Sequence, residues 1–168
     1  FFTSALASVG VGALGAFLEE SSQLRVERVL VPVPGLGQGL DGLRIAVLSD
    51  FHLYPFTSLP FLKRAVEETN RLQPDLTVLL GDFVDQTLEA MEELGPLLGT
   101  LNAKLGIFAV LGNHDHRKGA ERVGERLRRE GIEVLMNRGI FLEALHSPFH
   151  LAGVDSISGR FDLRATLS

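Results

Sequence analysis

The chain has 168 residues, 45% of them hydrophobic and 22% charged, with a formal net charge of −5; that is enough to bury one substantial core and too few for two comfortable domains. The acidic balance argues against a nucleic-acid partner, which would call for a basic stripe, but leaves a phosphorylated substrate open because metal ions can supply the positive field. With no cysteine, there are no disulfides and no thiolate ligands, so any metal must be held by Asp, His, Asn or Glu, a donor set suited to Mn, Fe or Zn.

No charge occurs before Glu19, and residues 1–20 read as a signal or membrane-anchor segment. Gly10, Gly12 and Gly15 weaken a soluble-helix reading there. Either reading places the domain, residues 24–168, at or beyond a membrane, membrane-associated or exported. Val26, Val29, Val31 and Val33 predict a strand over 24–33, and Pro32 and Pro34 assign it to a sheet edge. The nearly continuous apolar run over 43–48 predicts a fully buried strand with helices on both faces.

Over 59–72 the spacing of Leu62, Ala65, Val66, Thr69 and Leu72 predicts a helix, stopped by Gln73-Pro74-Asp75. A buried strand follows over 76–80. Leu88, Met91, Leu94, Leu98 and Leu101 predict a second helix over 87–101 with a core-facing stripe, kinked or split at Gly95-Pro96. A third buried strand is expected over 107–111, and a charged helix from about 118 to 130, capped by Gly131. Its charges read as a solvated face rather than an RNA-binding patch. Three short strands are expected over 132–135, 140–145 and 150–154. The alternation β-α-β-α-β-α-β argues for an α/β layered sheet with flanking helices.

In such sheets, sites form outside the carboxyl ends of the strands. Asp50 and His52 follow the first buried strand, Asp82 the second, and Asn113, His114 and Asp115 the third. Residues two apart in an extended chain share a face, so Asp50 and His52 can converge on one ion. Asp82 has two oxygens and can bridge two ions, the arrangement an in-line displacement at phosphorus needs. Three carboxylates brought together without a cation would repel. His114 is the natural general acid or transition-state donor, with Asp115 able to orient its ring. Gly81 and Gly112 let the loop backbones come close to an ion.

The motifs Asp50-Phe-His52, Gly81-Asp82 and Gly112-Asn-His-Asp115 resemble the first three of the calcineurin-like metallophosphoesterase superfamily. The phrasing Asp41-Gly-Leu-Arg-Ile after an apolar leader is most similar to its exported or membrane-associated bacterial YkuE/YaeI-type branch. The resemblance spans residues 24–154. It implies two divalent metal ions, with Asp50, His52 and Asp82 on one, Asp82 and Asn113 on the second, and His114 at the scissile phosphate. The family completes its site with a later His and a Gly-His-x-His motif, and this chain contains no Gly-His dipeptide. On that reading the chain is the N-terminal part of a metallophosphoesterase domain, incomplete at the C-terminus, whose second ion keeps only two protein ligands.

Taken singly, each cluster is more often a surface turn or helix cap than a ligand; their joint position at three successive strand ends decides for the functional reading. His116 reads as solvated loop, with a lesser possibility of meeting a substrate phosphate beside Arg117 and Lys118. His146 and His150, which flank Ser147-Pro148, read as poor substitutes for the absent ligands. The function expected is a metal-dependent phosphoester or phosphoanhydride hydrolase that uses a metal-bound hydroxide, acting on a phosphorylated small molecule or a lipid-linked phosphate. The alternative is a membrane-linked, non-catalytic binding module on the same scaffold. A Rossmann-type nucleotide binder is disfavoured, since no Gly-x-Gly-x-x-Gly follows any strand.

Overall fold

A computed structural model describes residues 23–55, 57–144 and 147–167. The chain divides into two units, residues 1–31 and 32–168, and the elements that position the site all belong to the second. The segment expected to be a signal or anchor lies outside the described residues. Among the described residues, no helix is long and apolar enough to cross a membrane. The strand expected over 24–33 is not formed: these residues have no regular structure and their side chains are exposed. β-Branched residues favour a strand only where there is a ladder to join, and Pro32 and Pro34 have no N–H to give one.

The frame is a parallel sheet of β1 (Ile45–Leu48), β2 (Leu76–Leu79), β3 (Ile107–Ala109) and β4 (Glu133–Val134), in the order 1-2-3-4. Ile45 pairs with Leu76, Thr77 with Ile107, and Phe108 with Glu133. Crossovers run through α1 (Leu59–Arg71), through α2 (Met91–Leu98), and through α3 (Asn113–Lys118) followed by α4 (Ala120–Arg129). An antiparallel hairpin, β5 (Arg138–Ala144) and β6 (Ser147–Gly153), follows, and then α5 (Leu163–Leu167).

Local chemistry accounts for most of the helix limits. The Ser58 hydroxyl accepts the Phe61 N–H at 3.4 Å and Pro60 sits in the first turn, where its missing N–H removes nothing. Leu62, Val66 and Thr69 recur at helical spacing and are the buried face of α1. The second helix is split, but not at Gly95-Pro96: a 3₁₀ turn, Leu88–Ala90, leads into α2, and Pro96 lies inside α2. The charged segment is two helices rather than one. Gly119, at φ 114, breaks it, and the Asn-His-Asp cluster is itself the start of α3. The core stripe is as expected, with Met91 and Leu94 fully buried, and Glu121 and Arg128 lie on the solvated side of α4.

Two apolar layers flank the sheet. On one face Leu62, Val66, Leu94, Leu98, Val123 and Leu127 from the helices pack on Leu79 and Ala109. On the other, Leu76, Phe108 and Leu135 are covered by Ile140, Leu142, Phe149 and Leu151 of the hairpin. The α/β layered class holds, while the second face is roofed by β-structure instead of helices. That changes the reading of β1, which is an edge strand with Ile45 49% and Val47 59% exposed, not a fully buried one. An apolar run does not distinguish a central strand from an edge strand.

Candidate metal centre

Beyond β1 and β2 the two chains continue side by side for several residues. Asp50 N–H donates to Gly81 O at 3.2 Å and His52 N–H to Asp82 O at 2.9 Å. The Phe51 and Phe83 rings stack beneath them, 5.0 Å apart, and both are fully buried. This apolar floor turns the alternate residues, His52 and Asp82, toward the rim. The backbone there is not extended: Asp50, His52 and Asp82 have φ of 56°, 37° and 54°. Asp50 and His52 therefore converge through left-handed backbone beyond the strand end, not through strand alternation. Left-handed backbone costs a non-glycine residue about 1–2 kcal/mol, and such strain concentrates at functional sites.

The third loop arrives through glycine. A Cβ on Gly81 would run into the backbone of Gly112, and one on Gly112 into the Asp82 carboxylate, so only hydrogen at both positions lets the β2 and β3 loops touch. Asp115, fully buried at the start of α3, locks the contact by accepting N–H bonds from Asp82 and Gly112 at 2.9 Å each, Phe83 at 2.9 Å and Val84 at 3.3 Å. Burial pushes the Asp115 carboxyl above the usual carboxylate range, outweighing the four N–H groups that pull it down. Its oxygens face the β2 loop, so Asp115 does not orient the His114 ring as the sequence suggested.

That position is taken by Asp85, whose Oδ1 lies 3.0 Å from His114 Nδ1 and 3.7 Å from His52 Nδ1. The second distance is too long for a hydrogen bond, and His52 Nδ1 is buried without a partner. Asp85 was missed in the sequence although a signal exists: it is the next polar residue after Asp82, set behind the fully buried pair Phe83 and Val84.

His52 Nε2 stands 3.5 Å from Asp50 Oδ1 and 3.6 Å from Asp82 Oδ2. Asp82 Oδ1 accepts the His114 N–H at 2.9 Å, which leaves Oδ2 facing His52. The His52 and His114 rings meet edge to face, 4.7 Å between centroids. Ligand atoms of His52, Asp82 and His114 lie within 4.8 Å of one another. Separations of 3.5–3.6 Å exceed a hydrogen bond. They match the roughly 3.4 Å between two donors that each sit about 2.1 Å from one tetrahedral ion. The donor set, imidazole and carboxylate with no sulfur, fits a borderline divalent ion.

Of the expected residues, Asp50, His52, Asp82 and His114 thus come together. Asn113 is exposed at the first position of α3, beside them in sequence. His116 departs from expectation: it is not a solvated loop residue but lies on α3 with Nε2 2.6 Å from the buried Asp155. Burial raises Asp155, yet the Arg160 N–H, the His116 ring and the Ser156 N–H outweigh it and hold this carboxyl below its usual range. His150 is exposed on β6 with its ring 4.9 Å from Phe141, and His146 lies outside the described residues.

Residues 43–160 match the family described as calcineurin-like phosphoesterase. A zebrafish protein named "Transmembrane protein with metallophosphoesterase domain" is 32% identical over 93% of the chain and 37% of its own length. The Bacillus subtilis "Uncharacterized metallophosphoesterase YkuE" is 31% identical over 89% of the chain and 52% of its own length. "UDP-2,3-diacylglucosamine pyrophosphatase LpxG" of Chlamydia trachomatis is 43% identical over 58% of the chain and 30% of its own length. The chain spans between about a third and a half of these relatives. No solved structure matches it significantly.

Proposed function

We propose that this chain, which belongs to the calcineurin-like phosphoesterase family, carries the nucleophile side of a metal-dependent phosphoester or phosphoanhydride hydrolase. The observation that carries the reading is the His52 ring nitrogen set 3.5 and 3.6 Å from the Asp50 and Asp82 carboxylates at two neighbouring strand ends. In this reading Asp50, His52 and Asp82 hold one divalent ion, and Asp82 with Asn113 holds a second. Bound there, Mn, Fe or Zn would supply an activated water and neutralise the charge gathering on the phosphoryl oxygens.

The protein's own groups do the rest. As an imidazolium giving its Nδ1–H to Asp85, His114 would present its Nε2–H to the substrate, where it would stabilise charge or protonate the departing oxygen. The His114 N–H, bonded to Asp82 Oδ1 at 2.9 Å, fixes that carboxylate so that Oδ2 stays available. Leu53, Phe51 and Phe83, all buried, close the floor against water.

The pyrophosphatase name of the chlamydial relative supports a phosphoanhydride and a lipid-linked phosphate as the substrate class. Together with the transmembrane relative's name it supports a membrane-associated or exported location. The test is hydrolysis of an aryl phosphate by the full-length protein with added Mn. Activity should appear with Mn and be lost in Asp82→Asn and His114→Ala; activity unchanged in both variants would sink the proposal.

A further inference from the structure

We infer that His116 and Asp155 form a positioning pair: they hold α3, and with it Asn113 and His114, at the angle the metal centre requires. This rests on the functional reading above for its effect on rate and on geometry alone for its effect on the helix.

At six residues, α3 is too short to be stable or oriented by itself. Its placement must come from tertiary contacts. Asp115 supplies one, anchoring the start of the helix to the β2 loop. The His114 N–H, given to Asp82 Oδ1, holds the same first turn to the same loop; anchors confined to one end leave the helix free to pivot about it, and a pivot would carry the His114 ring away from Asp85. The second point is His116, whose Nε2 reaches Asp155 Oδ1 at 2.6 Å across 39 residues of sequence. His116 and Asp155 side chains are only 14% and 3% exposed, so water competes little for the bond.

Asp155 is in turn tied into its own loop. Its oxygens accept the Ser156 N–H at 2.8 Å and the Arg160 N–H at 3.0 Å. Asn137, in left-handed backbone at the foot of β5, accepts the N–H groups of Asp155 and Asp162 at 3.0 Å each and donates to Arg160 O. The loop after β6 is thus tied to the hairpin roof, and His116 hangs α3 from it. Gly159 completes the fit: a Cβ there would strike both Asp155 Oδ2 and the His116 ring. Its φ is outside the left-handed region, so alanine would intrude by its methyl group and not by its backbone.

The experiment measures steady-state kinetics and amide hydrogen exchange in the full-length protein for His116→Ala, His116→Gln, Asp155→Ala, His116→Ala/Asp155→Ala and Gly159→Ala. Loss of a partner that orients an active group typically costs about 10- to 100-fold. A kcat loss of that order is expected in His116→Ala, with KM changed less than about threefold. The double variant should lose no more than the worse single one, because the two residues act as one unit. His116→Gln keeps a donor near the Nε2 position and should recover most of the rate, and Gly159→Ala should resemble His116→Ala.

Exchange at the His114 amide should quicken about tenfold or more in His116→Ala, while amides of β2 and β3 keep their protection. Unchanged kcat together with unchanged protection of His114 would overturn the pairing. So would a uniform loss of protection in all strands, which marks general destabilisation. If the unaltered protein hydrolyses no phosphate ester, the functional reading fails, and the His114 amide still decides the pairing.

Discussion

The two ends of the parallel sheet treat their aspartates in opposite ways. At the end where the strands begin, Asp75 accepts the Arg44 N–H at 2.9 Å and the Lys104 ammonium at 2.6 Å. That lysine hydrogen bond, with the Arg44 N–H, holds its carboxyl below the usual carboxylate range. At the end where the strands finish, Asp50, Asp82 and Asp85 are set against two histidines at 3.0 to 3.7 Å. Three backbone turns there are left-handed. One end is arranged as a fold needs, each carboxylate opposed by a cation or N–H. The other sets three carboxylates beside two imidazoles, an arrangement whose charge, on the function proposed above, a bound cation would balance.

Substitutions should separate the two ends. The largest effect on activity is expected from Asp82→Asn. It removes the carboxylate facing His52 and should lower kcat/KM of aryl phosphate hydrolysis by about 1,000-fold or more, roughly 4 kcal/mol of transition-state stabilisation. Asp85→Asn should cost about 10- to 100-fold in kcat by freeing the His114 ring, with the melting temperature little changed. A melting temperature that falls with kcat would make Asp85 a fold residue and blur the contrast.

Asp115→Asn reads in stability. An amide has one oxygen where the carboxylate has two, and its NH2 would face N–H donors; leaving buried donors unpaired costs about 1–3 kcal/mol each, so chemical denaturation should show a loss of about 3 kcal/mol. Stability near that of the unaltered protein would mean the β2 and α3 loops are held by something else.

The smallest effect belongs to Asp75→Asn, about 1 kcal/mol, since Lys104 and Arg44 are solvent-exposed partners. The pH dependence sharpens it. Because the folded carboxyl lies below its unfolded value of 3.8, its contribution is present above that pH and is lost as pH falls through the folded value. Melting curves of Asp75→Asn and the unaltered protein should differ at pH 6 and converge in strong acid; a gap that persists there would contradict the ion-pair account.

Much of the strand-end cluster was legible because it obeys a rule of the fold: in an α/β alternation, whatever polar residues end the strands must meet. Asp50, His52, Asp82 and His114 follow from that rule, and the helix over 59–72 follows from its period and the Gln73-Pro74-Asp75 stop, while its Ser58 cap emerged only in the structure. What was not legible depends on direction or on distant partners. The left-handed turns at Asp50, His52 and Asp82 carry no sequence mark, because aspartate and histidine tolerate that region without demanding it. Whether Asp115 or Asp85 served the His114 ring turned on which way α3 faces. His116 finds Asp155 across 39 residues, a separation no local pattern spans. The exposure of β1 escaped notice because apolar runs report hydrophobicity and not neighbours.

The most direct measurement is Mn titration of the metal-stripped full-length protein, followed by electron paramagnetic resonance or calorimetry, beside its Asp82→Asn variant. The account predicts saturable binding that Asp82→Asn weakens at least about tenfold, about 1.4 kcal/mol. No saturable Mn binding, or binding of equal strength in the variant, would contradict it.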